Sequence, residues 1–189
     1  MGYLLVKRKY RRDLTKEGSG NVGTLNTFKV SGSKSVAGLV LLIDFLKGAA
    51  PVYYLMAAGG QNFLPVSAAA VFLIVGHNYP VWLKFKGGRG LATAAGIFSV
   101  INVLLLVTWC IIWLMYFTLI KKDVLEANIA ATFLFSFFTL ALKSFFITFI
   151  NPVLPADQYY LFVIFCFTIS FLILVRHPEV FEKLKFQRT

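Results

Sequence analysis

Five apolar blocks, roughly 36–57, 63–83, 91–120, 128–150 and 158–175, occupy most of the 189-residue chain and leave few folds open. A helix needs about 20 predominantly apolar residues to cross the hydrocarbon core of a bilayer. Each block is near or above that length, and in lipid only helices and closed barrels satisfy their own backbone groups. The expected fold is an all-α integral membrane protein, a polytopic helical bundle. Composition removes the alternatives. Apolar residues make up 58% of the chain and charged residues 14%, against about 45–50% and about 25% in ordinary globular domains. A disordered chain carries far less apolar surface, and a soluble globule has no means of hiding 20 Phe, 8 Tyr and 3 Trp behind so few charges. Cys110 and Cys166 both lie inside apolar runs, which excludes a disulfide scaffold.

Charge placement sets the number of crossings. The chain has 19 Lys and Arg against 8 Asp and Glu, a net +11. In a soluble protein that balance suggests nucleic acid. Here the bases fall between apolar blocks, where they orient the chain with its basic loops in the cytoplasm and leave a few residues to hold anionic substrates or lipid headgroups. Every basic cluster lies on one face if the 91–120 block makes two short crossings that turn near Ser99 to Asn102. Six crossings result. The opening M-G-Y-L-L-V runs into K-R-K-Y-R-R and reads as the tail of a helix, which would make seven. Residues 13–35 read as a loop, and the Phe-rich stretch 133–149 as lipid-facing packing.

Two glycine clusters share the basic face. In G-S-G-N-V-G-T-L-N at 18–26, Gly18, Gly20 and Gly23 permit sharp turns that present successive N–H groups to an anion. Ser19, Asn21, Thr24 and Asn26 add polar side chains and Lys29 a charge. The second cluster spans 76–93 and contains His77. Its Gly87, Gly88 and Gly90 free the backbone, Arg89 supplies a fork of donors, and a helix is expected from Leu91, with its N-terminus favouring an anion. The Walker A spacing is missing, so nucleotide hydrolysis has no support. Asp44 and Lys47 lie three residues apart within the first block, on one helical face, as a structural ion pair or a functional one. His77 and His177 both fall at helix ends beside basic residues, where a proton-transfer or anion-binding role is open to them. No Ser-His-Asp order, H-E-x-x-H pattern or Cys/His cluster is present.

The sequences S-G-N-V-G-x-x-N, L-L-x-D-x-L-K-G and G-H-x-x-P-V-x-x-x-F-K-G-G-[KR]-G-x-A-T resemble the bacterial acyl-phosphate:glycerol-3-phosphate acyltransferases of the PlsY type, continuously from about Gly2 to Gly96. The resemblance implies a single membrane-embedded acyltransferase domain over 1–189, N-terminally truncated relative to a seven-helix family. It implies transfer of a fatty acyl group from acyl phosphate to the sn-1 hydroxyl of glycerol 3-phosphate, giving lysophosphatidate and phosphate in phospholipid biosynthesis. No metal or other cofactor is implied. The expected partners are acyl phosphate, glycerol 3-phosphate and membrane lipids, with no nucleic acid. A monomer is expected in the inner (plasma) membrane, multi-pass, with its active site on the cytoplasmic face.

By the same resemblance Arg89, Ser19 and His177 are the expected catalytic residues. Gly20, Asn21, Asn26, Lys29, Lys47, His77, Gly87, Gly88, Gly90 and Thr93 are the expected phosphate-binding set. Arg89 and the glycine N–H groups would hold the donor phosphate, Ser19, Asn26 and Lys29 would seat one of the two phosphates, and His177 would lie near the acceptor. The chain departs from the family pattern at Leu25, where a Thr is usual, at Lys29 for Arg and at Arg89 for Lys. The third family segment is reduced to Lys121–Glu126 without its serines, and Val180 stands where the last motif has Asn. Two other readings stay open on the residues alone: a non-catalytic homologue that binds lipid precursors, and a small organic-phosphate transporter.

Overall fold

The computed structural model describes residues 1–59, 62–150 and 154–177. Among them the regular elements are all helical: α1 (Gly2–Tyr10), α2 (Thr24–Ser31), α3 (Lys34–Ala57), α4 (Phe63–Asn78), α5 (Leu91–Ile101), α6 (Val103–Met115), α7 (Val124–Ala141), α8 (Lys143–Phe146) and α9 (Tyr159–Leu174). Five stretches are long and apolar enough to cross a membrane: Lys34–Ala57, Phe63–Leu83, Val103–Ile120, Val124–Ala141 and Ala156–Leu174. Leu91–Ile101 is apolar but shorter. The protein is an integral membrane helical bundle.

Polar residues punctuate the apolar sequence at the helix starts. Ser33 Oγ accepts from Val36 N–H at 3.3 Å, Asn62 Oδ1 from Leu64 N–H at 3.0 Å, and Asn102 Oδ1 from Leu104 N–H at 3.1 Å. Asp123 Oδ1 accepts from the N–H groups of Leu125 and Glu126. Each such cap stabilises its helix by about 1 kcal/mol and marks where the chain re-enters helix. The break in the 91–120 block falls at Asn102, where φ is −161° and ψ 95°. Its Nδ2 also donates to the Phe146 carbonyl at 3.1 Å, so one buried amide starts α6 and ties it to α8.

The core lies where α4, α5, α7 and α9 meet. Phe63 packs edge-on against Phe162 and Phe165, and Phe98 against Phe135 and Phe165. The Phe-rich stretch divides: Phe133, Phe137, Phe138, Phe145 and Phe149 are exposed, as lipid-facing residues are, whereas Phe135 and Phe146 are buried in this core. α3 and α5 approach so closely that a Cβ at Gly48 would strike the Thr93 carbonyl, and one at Gly96 the Phe45 carbonyl.

The stretch 13–35 is not all loop. α2 occupies its second half, beginning after Gly23, and Asn26, Thr27 and Val30 are buried. The helix is polar and weakly patterned, and it is tertiary packing against α1 and α3 that holds it. Of the last family motif, His177 to Phe181, only His177 is among the described residues.

Candidate active site

The loop before α2 is built around one side chain. Asn26, 3% exposed, donates through Nδ2 to the carbonyls of Leu14 (3.2 Å), Glu17 (3.0 Å) and Asn21 (2.7 Å). Its Oδ1 accepts from Ser19 N–H at 2.9 Å. Gly18, at φ 63°, leaves the space for that amide, because a Cβ there would collide with Asn26 Oδ1. Asn21 Oδ1 accepts from Gly23 N–H at 2.8 Å and closes the turn into α2. On the outer side Arg12 pairs with Glu17 and donates to the Val30 carbonyl. The Thr15 hydroxyl holds Asp13 below its ordinary carboxylate value, and the Asp13 N–H, aided by Arg12, does the same for Glu17.

The second glycine segment is strapped down. Gly87 N–H donates to the Asn78 carbonyl at 3.2 Å and Gly88 N–H to the His77 carbonyl at 3.1 Å. The carbonyls of Gly87 and Gly88 accept from the Arg176 guanidinium at 3.2 and 3.3 Å, and that guanidinium lies over the Tyr79 ring. A Cβ at Gly88 would collide with His77 Nε2, so the strap lies flat on the imidazole. The backbone then turns at Gly90, φ 85°, into α5. The first-turn N–H groups of Leu91 and Ala92 have no intrahelical acceptor.

These two segments border a cavity of about 290 Å³ whose lining includes charged and polar side chains. Ser19, Asn21, Asn26, Lys29, His77, Arg89 and Gly90 line it together with Asp44, Leu91, Ala92, Leu125 and Asn128. Its chemistry is mixed. The lining includes two cations, Lys29 and Arg89, and the N-terminus of α5, which suits an anion. The lining also includes Asp44, whose Oδ1 is 2.7 Å from Lys47 Nζ and 3.9 Å from His77 Nδ1. A carboxylate there repels an anion and accepts from a hydroxyl.

Several expected residues sit elsewhere. Gly87 and Gly88 are not part of the lining, and their N–H groups are already given to carbonyls of α4, whereas Leu91 and Ala92, which open α5, line the cavity. Gly20, at φ 70°, donates to the Glu17 carbonyl and shapes the loop. Asn26 lines the cavity, but its polar atoms are engaged by the loop. Thr93 is fully buried at the α3–α5 contact. Lys47 reaches Asp44 rather than the cavity. His177 is 1% exposed, with Nδ1 2.8 Å from its own helix at the Ile173 carbonyl, and is not among the lining residues.

A second cavity, apolar and about 760 Å³, lies beside the first and is lined from α2, α3, α5, α6 and α7. Thr24, Leu25, Leu41, Leu91, Ala92 and Asn128 line both, so the two share a wall. Beyond it Phe28, Phe98, Leu106, Trp109, Cys110 and Trp113 continue the apolar groove. Asn128 and Leu125 are absent from the residues picked out by sequence. The signal available for Asn128 was an amide inside an otherwise apolar block.

A sequence model described as glycerol-3-phosphate acyltransferase matches residues 1–187. A glycerol-3-phosphate acyltransferase of Wolbachia sp. subsp. Brugia malayi (strain TRS) is 38% identical over 128 residues, 67% of this chain and 66% of that protein. One from Anaplasma phagocytophilum (strain HZ) is 41% identical over 119 residues, 61% of this chain and 59% of that protein. The chain thus spans just under two thirds of the length of these curated relatives. Among solved structures, PlsY (YgiH), an integral membrane glycerol 3-phosphate acyltransferase, superposes in its glycerol 3-phosphate form with a TM-score of 0.78 and 31% identity, over 99% of this chain and 85% of that one. Its lysophosphatidic acid form gives 0.76 and 30%, over 100% and 85%.

Proposed function

The chain belongs to the glycerol-3-phosphate acyltransferase family, and on that premise we propose that it transfers a fatty acyl group from acyl phosphate to a hydroxyl of glycerol 3-phosphate, releasing phosphate and lysophosphatidate. The observation that carries this reading is the shared wall. A small cavity lined by Lys29, Arg89, the start of α5 and Asp44 shares six lining residues with a long apolar groove. A substrate pair with two phosphates, a diol and an acyl tail matches all of these surfaces at once.

Arg89, Lys29 and the N–H groups of Leu91 and Ala92 hold phosphate and stabilise charge that grows on the leaving group. Ser19 and Asn21 add neutral donors. Asp44 orients the acceptor hydroxyls, with Lys47 and His77 fixing its carboxylate. The hydroxyl oxygen attacks the acyl carbon, the bond from carbon to phosphate oxygen breaks, and the departing phosphate takes the hydroxyl proton. His177 supports the site from behind, at the end of α9. The reading places the basic loops and the polar cavity on the cytoplasmic side of the plasma membrane, with a monomer as the working unit.

Detergent-purified protein given palmitoyl phosphate and glycerol 3-phosphate should release inorganic phosphate and form lysophosphatidate. Omission of glycerol 3-phosphate should abolish product. Binding of both substrates without release would leave a lipid-precursor-binding homologue, and flux in liposomes without chemistry a transporter. Either result refutes the proposal.

A further inference from the structure

The junction between the two cavities has a chemical consequence that rests on the function proposed above. An acyl phosphate with its phosphate in the polar cavity and its tail in the groove must thread the wall they share, and the carbonyl is the group that connects head to tail. The reacting carbon therefore lies at that wall. Of the six residues common to both cavities, four are apolar and two are polar, Thr24 on α2 and Asn128 on α7. Asn128 is the one whose orientation is set. Its Oδ1 accepts from Trp113 Nε1 at 2.8 Å, and the Trp113 ring is stacked on Phe117 with centroids 5.0 Å apart. With the oxygen committed to α6, Nδ2 and its two N–H donors are turned away from Trp113.

We propose that Asn128 is a catalytic residue, donating from Nδ2 to the acyl carbonyl oxygen, and that Trp113 is its positioning residue. As the acceptor oxygen bonds to the acyl carbon, the carbonyl π electrons move onto its oxygen. Nδ2–H stabilises that charge until the tetrahedral centre collapses and phosphate leaves with the proton. A donor held in place before the reaction stabilises the charged state more than the ground state, because no reorganisation is needed when the charge appears. Thr24, on α2, is the other polar residue common to both cavities and offers a hydroxyl rather than an amide held by a partner side chain.

The test measures kcat and KM for palmitoyl phosphate in the detergent-solubilised full chain. Asn128→Leu keeps the volume and removes the donor. It should lower kcat by about a hundredfold, the usual loss for one such donor, with KM changed by less than threefold. Trp113→Phe keeps the aromatic ring and removes only Nε1–H. It should lower kcat several-fold in the Asn128 background and have no further effect in the Asn128→Leu background. Correct folding of each variant is read from size-exclusion elution and from retained protection of the chain by palmitoyl phosphate against protease. If the parent turns over and Asn128→Leu retains its kcat, the inference fails and the proposed function stands. Additive losses in the double variant overturn the positioning role of Trp113. A parent with no acyl transfer overturns both the function and the inference.

Discussion

Replacing Asn26 by Leu tests whether the loop before α2 is an ordered half of the site or a tether. The amide has two N–H groups, so at most two of its three carbonyl contacts are full hydrogen bonds at once, and its oxygen holds Ser19 N–H as a third. At about 1 kcal/mol net for each, the substitution removes roughly 3 kcal/mol. Solvation of the freed Glu17 and Asn21 carbonyls at the loop's half-buried surface lowers this to about 2 kcal/mol. A local opening equilibrium should then rise by about thirty- to a hundredfold. Tryptic cleavage after the exposed Lys16, followed by mass spectrometry at low protease where opening and closing are fast, reads that equilibrium directly. The rest of the bundle should unfold as before, since α2 stands outside the aromatic core. Asn26→Asp keeps the acceptor for Ser19 N–H and loses the donors, so it should fall between. Cleavage at the parent rate in Asn26→Leu would refute the claim that this amide holds the loop. A drop in global stability without faster cleavage would show that the hydrogen bonds act elsewhere.

Arg89→Ala should lower kcat/KM for palmitoyl phosphate about ten- to a hundredfold, the worth of one charge-assisted contact, while Arg89→Lys retains most of it; steady-state kinetics decide. Gly96→Ala should lower the unfolding temperature in detergent, because the new methyl meets the Phe45 carbonyl and overpacking of this kind costs about 1–3 kcal/mol. Maleimide should modify the exposed Cys110 and spare the buried Cys166, and saturating palmitoyl phosphate should slow the reaction if the groove holds the acyl tail. Asp13 and Glu17 are held below their ordinary values, so the stabilisation they supply is complete above the unfolded carboxyl range and drains as pH falls through the lowered values. Amide exchange over residues 13–20, corrected for the intrinsic rate, should therefore be flat above about pH 5 and rise below about pH 4.

The bundle was legible because its signals are local. A block of apolar residues states its own need for lipid or protein cover, and the parity of the basic clusters pointed to the break that Asn102 makes. α2 was not legible in the same way. T-L-N-T-F-K-V-S has neither a strong apolar stripe nor a capping side chain, and it is helical because Asn26 and its neighbours are buried by α1 and α3. The two glycine clusters were found from sequence, since few segments interleave Gly, Asn and basic residues so densely. That the Gly87 and Gly88 amides are engaged was not legible, because their acceptors are carbonyls about ten residues earlier, and only the fold brings them together. Asn128 escaped notice for the opposite reason: one amide in an apolar helix looks like a packing residue until the cavity beside it is seen.

The position of the site follows from the close contact between α3 and α5. Without side chains at Gly48 and Gly96, the backbones of α3 and α5 meet near Thr93 and Phe45. Asp44 lies one turn before Gly48 on α3, and Leu91 and Ala92 lie about one turn before Gly96 on α5. The contact thus fixes the carboxylate side of the cavity against its helix N-terminus with no flexible side chain between them. A cavity only about 290 Å³ in volume tolerates little error in that spacing. The loops add Arg89, Lys29 and Ser19 to a frame already set by two backbones, and α7 closes it from the groove side with Asn128. A helix pair that separated by the width of one methyl group would move Asp44 away from the α5 amides while leaving every lining residue in place. Activity should therefore be more sensitive to Gly48 and Gly96 than to most of the residues that line the cavity, although neither glycine touches it.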